Sequence, residues 1–312
     1  MQIKTIKKTI VHKLECWLSS IDSPSLVIAL KKDIIVTGGC ITSLFLNENV
    51  NDYDVYIRTK ETLNMLMDYY AKLTLSTTPN IRLQILDGSF KDRYIEEVEI
   101  DYKKNFNINS IDDINAAYAI AIRNLKPSQL KFYLGSVPRI SLLTVGEIVP
   151  TNSYKVAYIS PNAISLTDSL QIVVRFWGEP DVIHESYDFV HATNYFTFKD
   201  GLVTNNKALE SILTKQLIYK GSLYPVTSII RVRKFIKRSW NINAGEILKI
   251  VFQCSSLDLT NSDVLEEQLI GVDVAYFFAL IEPLRNIGGS VISEASLFEI
   301  IDKMFNIDDI NE

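Results

Sequence analysis

Hydrophobic and polar residues follow two kinds of spacing along the chain, and the two alternate until about residue 205. Apolar side chains recur at helical spacing over residues 1–20 and 60–75. Helices are also predicted over 112–125, where alanines favour this conformation, and over 178–186, after a Gly-Glu-Pro sequence. Alternating or short apolar runs predict strands at 34–36, 52–57, 81–86, 98–101, 170–176 and 187–196, and a hairpin over 198–203. Beyond residue 205 the spacing predicts helices over 207–219, 226–240, 246–252, 272–284 and 294–305.

This change of pattern predicts an α+β protein of two domains. Residues 1–205 are expected to form a head with a mixed sheet and flanking helices, and residues 206–312 an all-helical neck and tail domain. Residues 77–155, approximately, have little helical periodicity and several glycines and prolines. We therefore interpret them as a β-rich insertion within the head.

The stretch over residues 34–59 has the most informative pattern. A short apolar run predicts a buried strand that ends before Gly38-Gly39, and apolar residues at helical spacing follow. Alternation then returns, so Asp52 and Asp54 are expected on one face of a second strand. The order is strand, glycine turn, short helix, strand.

Two adjacent carboxylates without a neighbouring Lys or Arg repel each other, and a divalent cation would offset that repulsion. Gly38 and Gly39 would let backbone N–H groups approach a phosphate closely. Asp52 and Asp54 therefore predict a site for a metal-bound nucleoside triphosphate. The alternative is a plain turn at the end of a strand, with two solvated aspartates.

Gly38-Gly39, the helix and Asp52-x-Asp54 resemble the head of the polymerase-beta-like nucleotidyltransferase superfamily. The similarity is greatest to its CCA-adding enzyme and bacterial poly(A) polymerase branch. The sequence also resembles viral or phage-type members of the superfamily. Thr42-Ser43 stand where the tRNA enzymes of that branch carry Arg-Asp. The resemblance implies a nucleotidyltransferase fold with two Mg²⁺ or Mn²⁺ ions, ATP as donor and an RNA 3′ end as acceptor. It also implies that Gly38, Gly39 and Ser43 hold the triphosphate.

The resemblance requires a third metal-binding carboxylate besides Asp52 and Asp54, and two residues are candidates. Asp188 lies at the start of the strand expected over 187–196, and Asp101 ends the strand expected over 98–101. We favour Asp188, with a helix-capping aspartate as the alternative. His191, expected on the opposite face from Asp188, is interpreted as a buried structural histidine.

A basic cluster in the helix expected over 226–240 is the second candidate for phosphate or RNA-backbone contacts. Ile229, Val232 and Ile236 would face inward. The residues proposed to contact phosphate or the acceptor are Lys215, Arg231, Arg233 and Lys234. The alternative is a solvated helix face.

Composition narrows the class of protein. The chain has 312 residues, of which 47% are hydrophobic and 22% charged, as in ordinary globular proteins. A net charge of −5 excludes general polyanion binding, so any nucleic-acid contact must be local. The three cysteines are widely spaced, which favours a protein of the reducing cytosol over a disulfide-linked one. Neither they nor the three histidines have the spacing of a zinc site. No apolar run is long enough to span a membrane. We expect a cytoplasmic protein, in the host cytoplasm if a phage encodes it.

Together with these observations, the resemblance implies a template-independent nucleotidyltransferase that moves a nucleoside monophosphate to a hydroxyl acceptor, most simply an RNA 3′ end. Two alternatives stay open. In the first, the acceptor is a protein or a small molecule. In the second, the fold is a catalytically inactive binding module.

Overall fold

The computed structural model describes residues 2–77, 81–85, 140–144, 154–159 and 162–259, together with positions 261, 264, 267, 268 and 298. The chain divides into two compact units. The first comprises Met1–His184 and Ala192–Asn206, and the second Glu185–His191 and Lys207–Glu312. The sequence predicts one boundary near residue 205, whereas in the structure the short segment 185–191 also belongs to the second unit. Within the described ranges, no helix is long and apolar enough to span a membrane.

A mixed sheet of nine described strands is the centre of the first unit. In chain order these are β1 (Ile34–Thr37), β2 (Tyr53–Ile57), β3 (Ile81–Ile85), β4 (Ile140–Thr144), β5 (Val156–Ile159), β6 (Ala163–Leu166), β7 (Leu170–Trp177), β8 (Tyr195–Thr197) and β9 (Gly201–Val203). Across the sheet the order is β3-β4-β5-β6-β7-β2-β1-β8-β9. Neighbours are antiparallel except β2 and β7, which are parallel. The strands on either side of the glycine motif therefore lie inside the sheet.

Four helices of the first unit pack on one face of this sheet. They are α1 (Ile3–Ser19), α2 (Pro24–Asp33), α3 (Gly39–Leu46) and α4 (Lys60–Thr77), and a short helix α5 (Pro180–Glu185) follows β7. Their apolar residues form one core with alternate residues of β1 and β2, such as Val36 and Val55. Inside it, Trp17 Nε1 donates a hydrogen bond to the Tyr70 hydroxyl at 2.8 Å, which joins α1 to α4.

Alternation along β1 and β2 places the intervening residues on the opposite face of the sheet. Ile35 pairs with Tyr56 in the antiparallel ladder, and both are buried outside the helix-covered core. Thr37 and Asp54 share the face of these two residues, since each is two positions away in its strand. The face that carries Asp54 is therefore not the face that α1–α4 cover.

Most of the predicted elements that fall on described residues of this unit are confirmed. The helices at 1–20 and 60–75, the first strand, and the strands at 81–86 and 170–176 are present, as is the hairpin, formed by β8 and β9. In α4 the four residues expected inside are buried: Leu63, Leu66, Met67 and Tyr70. Of the region interpreted as an insertion, β3 and β4 extend the sheet beyond β5. The strand at 98–101, with Asp101, and the helix at 112–125 lie outside the described residues.

In the second unit, the described part is not all-helical, which corrects that prediction. The helices are α6 (Asn206–Thr214), α7 (Pro225–Lys237) and α8 (Ala244–Cys254), and between them β10 (Gln216–Leu217) and β11 (Asn241–Ile242) form a two-stranded parallel sheet. Helix α6 ends at residue 214 rather than 219, because Lys215 has a left-handed backbone with φ 49°. The predicted inward residue Leu213 is consequently exposed, whereas Leu217 is buried in β10.

The inward face of α7 also differs from the prediction. Ile229 and Ile236 are exposed, whereas Thr227 and Ser228 are buried together with Ile230. The Thr227 hydroxyl donates to the backbone carbonyl of residue 268, and the Ser228 hydroxyl donates to that of residue 224. A hydroxyl that is satisfied by a backbone carbonyl can be buried at low cost, so apolar spacing alone did not identify the buried face.

A correction with consequences for the site concerns residues 187–196, which do not form one strand. Phe189 makes an isolated bridge with Tyr219, and Val190–Ala192 form a 3₁₀ turn before β8 begins at Tyr195. The expected alternation of faces after Asp188 is therefore absent. Hydrogen bonds from the backbone of residues 190 and 220 hold this segment against β10 and the loop that follows it.

His191 is a structural histidine in an aromatic cluster of the second unit, as the sequence indicated. Its ring lies 4.6 Å, between centroids, from each of the rings of Phe235 and Trp240, and it is 2% exposed. Burial lowers the pKa of His191 from 6.5 to about 4, against the opposing influence of the nearby Asp188 carboxylate. The imidazole is therefore neutral when the unit is folded at neutral pH.

This burial predicts a pH dependence of stability. Below pH 6.5 the unfolded chain binds a proton on His191 that the folded chain does not bind until about pH 4. The contribution to the free energy of unfolding is thus complete above pH 6.5, and about 3 kcal/mol is lost as the pH falls to about 4. Urea unfolding of wild type and His191→Phe between pH 7 and 4 measures this, with the wild type showing the steeper loss. Equal slopes in the two proteins would contradict it.

Candidate functional site

The turn between β1 and α3 depends on Gly38. This residue is the N-cap of α3, with φ 91° and ψ −150°, a conformation that only glycine adopts at low cost. Its N–H donates to the carbonyl of Ala192 at 3.1 Å, so it is already satisfied. Gly39 is the first residue of α3 and is exposed, and a Cβ added there would have no atom within 4 Å. The exposed backbone of this helix start is therefore at Gly39.

Cys40 connects the glycine turn to the aspartate strand. Its thiol is 2% exposed, donates to the carbonyl of Thr37 at 3.6 Å, and receives a hydrogen bond from the backbone of Asp54. Burial, reinforced by the charge of Asp54, raises the pKa of this thiol, so it stays protonated. The start of α3 and the backbone of Asp54 are consequently in contact.

Asp52 and Asp54 occupy the beginning of β2. Asp52 is exposed and comes one position before the strand, and Asp54 is half-buried within it. In the parallel ladder Asp54 is paired with Gln171 of β7, whose amide donates to the Ser165 hydroxyl on β6 at 3.2 Å. Because paired residues share a face, a row of polar side chains extends from Asp54 across β7 and β6.

The position where β2 begins is fixed by a second group of residues. The N–H of Tyr53 donates to the carbonyl of Ser169 at 2.9 Å, in the turn between β6 and β7. Next to it, Lys13 Nζ lies 2.7 Å from an Asp168 carboxylate oxygen and over the rings of Tyr53 and Tyr154. This hydrogen bond, with Lys13 donating, lowers the pKa of Asp168. Lys13 of α1 thereby binds the β6–β7 turn, and the same turn binds the first residue of β2.

Asp188, favoured as the third carboxylate, is engaged within the second unit. It is 7% exposed, and Arg231 Nη1 donates to its Oδ2 at 2.8 Å. The carbonyl of Asp188 accepts a hydrogen bond from the N–H of Lys220 at 2.9 Å. Two residues predicted to bind a metal and a phosphate thus bind each other in this structure. Their proposed roles stay predictions.

The remaining predicted contact residues have varied surroundings. Ser43 is buried in the second turn of α3, and its carbonyl accepts the N–H of residue 48. Lys215 Nζ donates to the carbonyl of residue 238 at 3.3 Å. On α7, Lys234 is exposed and Arg233 half-buried. These four residues also stay predicted contacts.

No group of three or more His, Cys, Asp or Glu side chains suited to a metal ion occurs in the described part of the chain. Asp52 and Asp54 supply two carboxylates, which are the donors that Mg²⁺ and Mn²⁺ prefer. Asp101, the other candidate for a third carboxylate, lies outside the described residues.

Sequence reasoning missed one polar group beside the turn. Thr37, fully buried at the end of β1, has its hydroxyl 2.8 Å from His184 Nε2 on α5. The two residues are 147 positions apart, and neither belongs to a recognisable motif. The only available signal was a threonine at the end of an otherwise apolar buried strand.

Gly38 and Gly39 are expected to respond differently to alanine. Gly38→Ala forces a side chain into a positive-φ conformation and should lower the free energy of unfolding by about 1–3 kcal/mol. Gly39→Ala, its matched control, adds a methyl group in open space at a helical position and should leave stability unchanged or slightly higher. Urea denaturation of the two variants measures the difference, and equal losses would contradict the assignment of strain to Gly38.

Arg231 is expected to stabilise the second unit by neutralising Asp188. Arg231→Met leaves a buried carboxylate without its cation and should lower the free energy of unfolding by about 1–2 kcal/mol, a value discounted because the Arg231 side chain is 37% exposed. The double variant with Asp188→Asn should lose less than the sum of the single losses. Additive losses in this cycle would show that the two side chains are not coupled.

Comparisons with known proteins identify relatives across most of the chain. The family described as "Gabija anti-defense 2 family protein" matches residues 8–215. "Gabija anti-defense 2" of Bacillus phage SPbetaL7 is 20% identical over 297 residues, which are 94% of this chain and 53% of that protein. The structure of "Thermotoga maritima CCA-adding enzyme complexed with tRNA_CCA" has 13% identity and a TM-score of 0.37, over 86% of this chain and 53% of that one.

The chain therefore spans about half the length of these two relatives. A TM-score this low supports no conclusion about activity. The family match is different in kind, because it covers more than half of the chain and includes the glycine turn, α3 and both aspartates of β2. On that ground, the chain belongs to the Gabija anti-defense 2 family.

Proposed function

We propose that this protein is a metal-dependent nucleotidyltransferase that moves a nucleoside monophosphate from a nucleoside triphosphate to a hydroxyl group. The observation that carries the proposal is the contact of Cys40, near the α3 N-terminus, with the backbone of Asp54 in β2. A phosphate-binding helix start and a pair of metal-binding carboxylates would then serve one substrate.

The helix start would hold the triphosphate. The partial positive charge of the α3 N-terminus suits an anion. The exposed backbone at Gly39, with no side chain and no neighbour within 4 Å of a Cβ, leaves room for close approach of a phosphate. Ser43, buried deeper in the helix, would support this turn rather than extend from it.

Asp52 and Asp54 would hold divalent cations, either Mg²⁺ or Mn²⁺. The resemblance to nucleotidyltransferases implies two such ions. They would favour ionisation of an acceptor hydroxyl and offset the charge of the leaving pyrophosphate. We propose Asp188 as the third carboxylate, with Asp101 as the alternative. For Asp188 this role requires that the carboxylate be shared with, or released from, Arg231.

We propose ATP as the donor and an RNA 3′ end as the acceptor. Lys215, Arg231, Arg233 and Lys234 supply the positive charge that a phosphate backbone would need in a chain with a net charge of −5. The second candidate acceptor is a protein, and the similarity to "Gabija anti-defense 2" leads us to propose a component of a host defence system in that role. Under either acceptor, we propose that transfer counteracts host defence in the host cytoplasm.

Radiolabelled nucleotide transfer tests the proposal directly. The protein is incubated with α-³²P-labelled ATP or another NTP, Mg²⁺ or Mn²⁺, and host RNA and protein. Asp52→Asn and Asp54→Asn should each lower incorporation by at least about a thousandfold, since metal-ion stabilisation of the developing charge is worth several kcal/mol. Asp22→Asn, which removes an exposed carboxylate between α1 and α2, is the matched control and should retain activity.

The position of the label separates the acceptors. Label in RNA supports 3′-end addition, and label in a protein band supports modification of a protein. Equal incorporation by wild type and both aspartate variants would contradict the roles proposed for Asp52 and Asp54. No incorporation with any NTP and metal would instead indicate a binding module without transferase activity.

A further inference from the structure

We propose that Thr37 and His184 form a buried positioning pair that holds the glycine turn and Asp54 in the arrangement that transfer needs. This inference rests on the proposed function and adds two residues that no motif identifies. Neither side chain is suggested to touch the substrate, so both are positioning residues.

The place of Thr37 in the sheet motivates the proposal. Val36 pairs with Val55 in the antiparallel ladder, so the next residue of β1, Thr37, lies beside the preceding residue of β2, Asp54. Gly38 follows Thr37 directly, and Cys40 of α3 donates its thiol hydrogen to the Thr37 carbonyl. A displacement of Thr37 would thus reach both the turn and the carboxylate.

The hydrogen bonds of the Thr37 hydroxyl indicate which role His184 Nε2 has in this contact. Besides His184 Nε2, the oxygen has two backbone carbonyls within reach, that of Asn194 at 2.8 Å and that of Ala192 at 3.2 Å. Carbonyls only accept, so the single hydroxyl proton goes to them. His184 must then donate from Nε2 to the Thr37 oxygen, and its Nε2 carries a proton.

The partners of Thr37 are themselves held in place. The Ala192 carbonyl also accepts the N–H of Gly38, so one oxygen binds both the hydroxyl before the turn and the amide within it. Asn194 is 1% exposed, and its side-chain oxygen accepts the N–H of Asn205 at 2.9 Å. The turn is therefore attached to fixed acceptors on the connection into β8 and to a helix-borne donor, His184.

A buried polar pair of this kind is not needed for stability alone. Apolar residues of the same shape can replace a hydrogen-bonded pair at little cost, whereas removing one partner leaves the other unsatisfied. Directional hydrogen bonds supply orientation, which apolar packing supplies poorly. The chain keeps a threonine and a histidine where valine and an apolar residue would fill the same space.

Two matched pairs of variants test the role. Thr37→Ser keeps the hydroxyl and Thr37→Val removes it in the same volume. In His184→Gln the amide nitrogen can occupy the place of Nε2, whereas in His184→Asn it reaches only the place of Nδ1. We expect Thr37→Val and His184→Asn to lower kcat for Mg·ATP-dependent transfer about 10- to 100-fold. In Thr37→Ser and His184→Gln, kcat should stay within about threefold of the wild-type value.

Amide hydrogen exchange gives a readout that does not depend on catalysis. In Thr37→Val and His184→Asn, exchange of the peptide around residues 38–41 should rise about fivefold to tenfold, as expected for loss of one hydrogen bond, while peptides from α4 stay unchanged. The two conservative variants should behave like wild type.

The two readouts separate the failure of this proposal from failure of the proposed function. If wild type transfers no nucleotide, the proposed function fails, and exchange alone decides whether the pair holds the turn. The positioning role is overturned if amide exchange around residues 38–41 is the same in Thr37→Val as in Thr37→Ser. It is also overturned if exchange in α4 rises as much as exchange around residues 38–41. Normal kcat in Thr37→Val and His184→Asn overturns it as well.

Discussion

The site of the first unit depends on a single backbone conformation, that of Gly38. Its positive φ turns the chain from β1 into α3, and the amide that this turn directs inwards is satisfied by the Ala192 carbonyl. The same turn brings Cys40 against the backbone of Asp54. Any residue with a Cβ at this position would strain the turn, and through it the contact between the helix start and the aspartate strand.

Charge is handled differently in the two units. In the first, Lys13 neutralises Asp168, and Asp52 is exposed. In the second, Arg231 neutralises Asp188 inside a region where burial is strong enough to keep His191 uncharged. A low-dielectric setting makes Asp188 dependent on a cation, and Arg231 supplies that cation in this structure.

How far the sequence predicted the structure can be read from individual elements. The glycine turn, α3 and β2 were predicted because backbone geometry and local periodicity determine them. The strand expected over 187–196 was wrong because partners outside the local sequence, Tyr219 and Arg231, decide the conformation of that segment. The pair of Thr37 and His184 was not predictable, since only the folded sheet brings residues 147 positions apart together. The inward face of α7 failed for a related reason, because buried hydroxyls satisfied by carbonyls leave no trace in hydrophobic spacing.

The strand order also has a consequence for synthesis on the ribosome. β1 pairs on one side with β2, which follows it closely, but its other neighbour is β8, where Val36 meets Phe196. At ordinary rates of translation, roughly ten seconds or more separate the emergence of these two strands. During that interval β1 has an open edge that could pair with another nascent chain. Helices α1–α4 can cover one side of the early strands meanwhile, but the glycine turn acquires its acceptor at Ala192 only when nearly the whole first unit has been made.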